Sequence, residues 1–194
     1  MSGKRLVQRL AGAGGLCCLL LSGCVATRPP GERGLAAYRE GRYAAALEGF
    51  DEAVRLDPSS AAAYSNLGAA RLRLADVTGA LADFNRAVSL APNDPKLYYN
   101  RGNALVVFGD LGLAIADFTR ATQLDPQYAR AYYNRGTARL LAGDPGGRAD
   151  RLTAVEVAVD PWLKADLRRR VGVTAGPASS PAVAGSQAPS EPPR

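Results

Sequence analysis

The side chains that usually do chemistry are scarce in this chain of 194 residues. It has no histidine, so no imidazole base and no imidazole metal ligand. Its three cysteines, Cys17, Cys18 and Cys24, all lie near the start. The serines are scattered, with no neighbouring base to turn one into a nucleophile. The glycine-rich stretch 143–147 lacks the Lys-Ser/Thr of a phosphate loop and reads as a turn between helices. Asp51, Glu52, Asp83 and Asp117 read as a solvated helix face. No catalytic residue, metal site or cofactor is therefore expected. What recurs is hydrogen-bonding and stacking capacity. Asn66, Asn100 and Asn134 follow one another at 34-residue steps, and Lys96 and Arg130, Tyr99 and Tyr133, and Asn103 and Thr137 each repeat at the same step. A carboxamide donates and accepts, so it can pair with a peptide group. A cation at a fixed place can hold a carboxylate.

These residues need elements to carry them. Residues 95–128 contain two helical patterns and one break. A helix is predicted over 96–108, with Tyr98, Gly102 and Leu105 on one face. Gly109-Asp110 interrupts it, and a second helix is predicted over 111–124, with Ala114, Ile115, Phe118, Ala121 and Leu124 on one face. Neither can bury its apolar stripe alone. A step of 34 residues returns the same types: Gly34, Gly68 and Gly136 for Gly102; Ala46 and Ala80 for Ala114; Phe50 and Phe84 for Phe118; Ala53 and Ala87 for Ala121; Pro58 and Pro92 for Pro126. A period of this length, two helices long, marks a stacking repeat. The glycines and alanines let paired helices approach closely, and each proline stops its helix.

This pattern resembles the tetratricopeptide repeat family, whose motif has a large aromatic, then Leu-Gly, then Ala, Phe, Ala and Pro at fixed offsets; the resemblance covers 28–161. It implies an all-α, right-handed superhelix of about four helix-turn-helix repeats over 32–160. A capping helix is read over 161–171, with Leu163, Leu167 and Val171 along one side and Trp162 beside them. Repeat one lacks the early aromatic. Repeat four loses the motif in its second half: counted at 34, Arg148 replaces Ala, Leu152 replaces Phe and Val155 replaces Ala. The resemblance also places the Asn66, Asn100 and Asn134 ladder on the concave face, with Lys96, Tyr99, Asn103, Arg130, Tyr133 and Thr137 around it. Two uses stay open for the ladder, binding a ligand or fitting one helix to the next. Asn66 with Lys96, and Asn100 with Arg130, match part of a carboxylate clamp known in the family, whose first-repeat Lys and Asn are absent.

Residues 1–23 read as a secretion signal, with Lys4, Arg5 and Arg9 ahead of an apolar run over 10–21. The sequence Leu21-Ser22-Gly23-Cys24 resembles a bacterial lipobox. It implies cleavage after Gly23, a diacylglyceryl group on Cys24, and a short lipidated tether over 24–31. Val25, in place of an aspartate, points to the outer membrane facing the periplasm. Removing Lys4, Arg5 and Arg9 from the 24 basic residues leaves 21 against 18 acidic ones, about +3. That balance, without a basic stripe interleaved with aromatics, argues against nucleic acid as a partner. Residues 172–194, rich in Pro, Ala and Ser, are expected to be disordered.

The resulting expectation is a lipid-anchored adaptor at the cell envelope, holding a segment of a partner protein in its concave groove. Its roles would be those of a pilotin, a docking module for cell-wall enzymes or an outer-membrane assembly factor. A glycan-handling accessory protein and a self-assembling structural lipoprotein are the alternatives. The oligomeric state is left open.

Overall fold

The computed structural model describes residues 28–173, and the expectations for 1–27, Cys24 among them, and for the tail beyond 173 lie outside these residues. Within them the chain forms nine helices and no strand. They are α1 (Pro30–Arg39), α2 (Tyr43–Leu56), α3 (Ala61–Arg73), α4 (Val77–Leu90), α5 (Pro95–Phe108), α6 (Leu111–Leu124), α7 (Ala129–Leu141), α8 (Gly147–Val157) and α9 (Pro161–Val171). Each helix packs on the next, giving four hairpins in a row and one further helix. Local chemistry sets the boundaries. Asp76, Asp94, Asp110 and Asp160 each accept a hydrogen bond from a backbone N–H in the first turn of the helix that follows. Gly109 closes α5 at φ 97°, a left-handed conformation that side chains resist.

The core is built from the recurring residues. Phe50, Phe84 and Phe118 are the largest fully buried side chains, and Ala46, Ala80 and Ala114 are fully enclosed. Each phenylalanine lies against the glycine of its hairpin partner. A Cβ on Gly102 would stand 2.7 Å from the Phe118 ring, and one on Gly34 would stand 2.6 Å from that of Phe50. The glycine is required by close approach, and the ring fills the space it leaves.

Two expectations are corrected. Asp83 and Asp117 do not face solvent but are buried, as is Asp150, and each meets arginine. Arg71 donates to Asp83 at 2.7 Å. Arg101 grips Asp117 with two bonds of 2.7 Å, and Arg135 grips Asp150 at 2.8 and 2.6 Å. Arg101 also reaches Asn85 on α4 at 3.0 Å, and Arg135 reaches Thr122 on α6 at 3.1 Å, so each arginine ties its own hairpin to the previous one. Carboxylates this buried need such partners. Asp51 and Glu52 remain at or near the surface, as expected.

The second correction concerns repeat four. Counted from contacts, its second helix is in register at a step of 33, because Gly136 and Gly147 stand one residue closer in sequence than Gly102 and Ala114. Gly147, not Arg148, stands where Ala114 stands. Asp150 matches Asp117, Arg151 takes the place of Phe118, and Ala154 keeps that of Ala121. Gly147, Asp150 and Ala154 are buried, while Leu152 is 44% exposed. Gly136 confirms the slot, since a Cβ there would meet the Gly147 carbonyl at 2.5 Å and the Arg151 stem at 2.7 Å.

The helix α9 packs through Leu163, Leu167 and Val171 against a cluster containing Ala129, Ala154 and Val155. Trp162 does not join that contact and is 85% exposed. No described helix is long and apolar enough to cross a membrane.

Candidate peptide-binding groove

The first helices of successive hairpins, α3, α5 and α7, carry the recurring amides, and the structure shows what holds each. The Asn100 amide donates to the Ser65 hydroxyl at 3.0 Å. The Asn134 amide donates to Oδ1 of Asn103 at 2.7 Å and to the Tyr99 hydroxyl at 3.3 Å. The ladder thus ties α3 to α5 and α5 to α7 through its N–H groups. Asn66 is half-buried on α3. The Thr137 hydroxyl is spent within α7, donating to the Tyr133 carbonyl at 2.9 Å.

One member of the ladder, Asn134, lines a cavity with its neighbours. Tyr99, Arg130, Tyr133 and Asn134 line one cavity of about 300 Å³. Four residues of α9, namely Leu163, Asp166, Leu167 and Arg170, line it too. Asn66, Lys96, Asn100, Asn103 and Thr137 are not among its lining. Tyr99 is wedged between Phe118 and Tyr128, with ring centroids 6.0 and 5.1 Å away. Burial pushes the Tyr128 hydroxyl up to about 12, so it stays a neutral phenol. Lys96 and Arg130 are exposed. The ion pairs of this region belong to Arg101, Arg135, Arg139, Arg169 and Arg170 instead. Asp166 accepts from Arg170 at 2.7 Å, and that bond raises the guanidinium further above its ordinary value.

The α9 residues were missed because that helix carries none of the repeat motif. A signal was present: positions 163, 166, 167 and 170 follow the i, i+3, i+4, i+7 pattern of a single helix face. Arg151 lies behind the cavity. Its guanidinium sits 5.0 Å from the Tyr133 ring centroid and donates to the Arg170 carbonyl at 2.6 Å. Its Nε is buried without a hydrogen-bond partner among the described residues.

A larger cavity, about 470 Å³, lies on α1 and α2. Its three arginines, Arg28, Arg33 and Arg42, face three glutamates, Glu40, Glu48 and Glu52. Arg33 pairs with Glu52 and Arg42 with Glu40, so this surface is largely self-neutralised. Among the described residues no cluster of acidic or sulfur side chains is arranged to hold a metal ion.

Two family models match the chain, one described as tetratricopeptide repeat over 32–95 and one as TPR repeat over 109–143. No curated protein matches by sequence. Among solved structures, the Arabidopsis OM64 TPR domain is 30% identical, with a TM-score of 0.56 over 58% of this chain and 93% of that one. YrrB, described as a TPR protein with an unusual peptide-binding site, is 25% identical, with a TM-score of 0.60 over 70% of this chain and 71% of that one. The first TPR of Spaghetti (RPAP3), bound to the HSP90 peptide SRMEEVD, is 25% identical, with a TM-score of 0.57 over 59% of this chain and 91% of that one.

Proposed function

Because the chain belongs to the tetratricopeptide repeat family, we propose that it is a non-catalytic adaptor that holds an extended segment of a partner protein in its concave groove. The observation that carries this reading is the convergence of Tyr99, Arg130, Tyr133 and Asn134 on one open cavity. The likeness to two structures described by their peptide sites supports it. In this reading the ladder's amide nitrogens hold the array together, and its carbonyl oxygens remain to accept ligand N–H groups. Lys96 and Arg130 attract carboxylates of the ligand by charge.

The adaptor acts at the cell envelope, tethered through a lipid on Cys24 and facing the periplasm from the outer membrane. The basic start, the short apolar run and the Leu-Ser-Gly-Cys sequence support this. With few residues between Cys24 and α1, the array sits close to the membrane surface. Radioactive palmitate is expected to label the wild-type chain in a bacterial host and to fail with Cys24→Ala; label on the variant contradicts the anchor. For the groove, peptides enriched from a random display library on the wild-type chain are expected to lose binding to the double variant Lys96→Glu/Arg130→Glu. Undiminished binding contradicts the assignment of these cations.

A further inference from the structure

The groove has a defined end, and that end has a shape. We infer that α9 is a wall of the ligand site, and that with α5 and α7 it forms a socket for one bulky apolar side chain of the bound peptide, flanked by an acidic residue. This rests on the peptide-binding reading.

The floor is the pair of rings of Tyr99 and Tyr133 with Asn134 between the helices that carry them. The wall is the half-buried Leu163, with the buried Leu167 one turn on. Two tyrosine rings and Leu163, with polar groups at the rim, make an amphipathic slot suited to a leucine, phenylalanine or tryptophan side chain. At about 300 Å³ it admits one such group, not a second chain. Both N–H groups of the Asn134 amide are engaged, so the residue acts toward a ligand as an acceptor. That suits the main-chain N–H of the residue whose side chain enters the socket. At the rim the Asp166 charge is met by Arg170, which leaves Arg130 to face an acidic neighbour.

The wall is weakly founded in apolar terms, because Leu167 is its only buried residue. Arg151 makes up the difference. Standing in the slot that phenylalanine fills in the other hairpins, it stacks on Tyr133 in the floor and bonds to the Arg170 carbonyl in the wall. It is a positioning residue, holding the two sides of the socket at a fixed spacing.

The test is a random-peptide phage library panned on the full-length chain, followed by fluorescence anisotropy on an enriched peptide. The expected consensus is a bulky apolar residue beside Asp or Glu. Leu163→Trp, which fills the socket, should weaken that peptide roughly tenfold or more. Leu163→Ala, which enlarges it, should move the consensus toward tryptophan, a change that mere loss of folding cannot produce. If enriched peptides bind Leu163→Trp as well as wild type but are lost on Lys96→Glu/Arg130→Glu, the socket is overturned and the groove stands. If no peptide is enriched, both readings fall.

Discussion

Repeats three and four have matching first helices and unlike second ones. In both, a glycine at the crossing and an arginine beside it face the second helix, Gly102 with Arg101 and Gly136 with Arg135. In repeat three the crossing is filled by a fully buried ring, Phe118. In repeat four the same slot holds the stem of Arg151, and the helices approach backbone to backbone at Gly136 and Gly147. The buried Arg–Asp pair survives the change, and Arg139 joins it at 2.8 Å from Asp150. The span from Gly136 to Gly147, one residue shorter than that from Gly102 to Ala114, shifts the second helix by one residue in sequence but not in its contacts. Contacts at the glycine and the ion pair fix the packing, and the count of residues between them follows. A terminal repeat has solvent or a cap on one side, so it can exchange an apolar plug for a polar fastening.

The largest effect is expected at the shared slot. Phe118→Ala should destabilise by about 3–5 kcal/mol in urea denaturation, because it empties an enclosed site. Arg151→Ala should cost far less, under about 1 kcal/mol, since the group removed is partly exposed and one of its nitrogens is unsatisfied. Equal losses would refute the equivalence of the two slots. Next is the ion pair. Asp117→Ala strands a half-buried Arg101 and should cost about 3 kcal/mol, more than replacing both partners by apolar residues.

Smaller effects concern pH and the polar fastening. Burial raises the Asp83 carboxyl to about 6, against the opposing pull of Arg71. The folded state therefore binds this proton more tightly than the unfolded one. Its contribution is fully present below about pH 4 and is lost as pH rises through about 6. Denaturation midpoints should fall over that window by an amount worth about 1–2 kcal/mol, and Asp83→Asn should flatten the fall. The smallest effect is a gain. Arg151→Phe, restoring the plug of repeat three, should stabilise the array slightly, by about 0.5–1 kcal/mol, while amide exchange in α9 quickens as its fastening is lost.

The parts that were legible in the sequence are those that recur. Gly102, Ala114 and Phe118 return at fixed steps, and their sizes alone dictate close helix pairing. The buried ion pairs were not legible. Their acids look like any polar helix face, and their arginines come from two different offsets, Arg71 and Arg139 one turn beyond Arg101 and Arg135. The register of repeat four escapes a fixed count of 34 because one residue is missing between Gly136 and Gly147 relative to Gly102 and Ala114. In the groove, the repeat step picks out Tyr99, Arg130, Tyr133 and Asn134 and the family resemblance places them on one face, but neither reaches the α9 side, since that helix follows no repeat. Periodicity also could not divide the labour of an asparagine between holding helices and meeting ligand; the partners of Asn134 do that.

The central claim, that the concave groove and no other face holds the partner, is tested most directly by site-specific photocrosslinking. A photoreactive phenylalanine analogue would be placed at Arg130, in the groove, or at Leu113, exposed on α6 and outside the cavity lining. A labelled peptide enriched from the random library should crosslink from position 130 and not from 113. Capture from 113 with none from 130 would contradict the account.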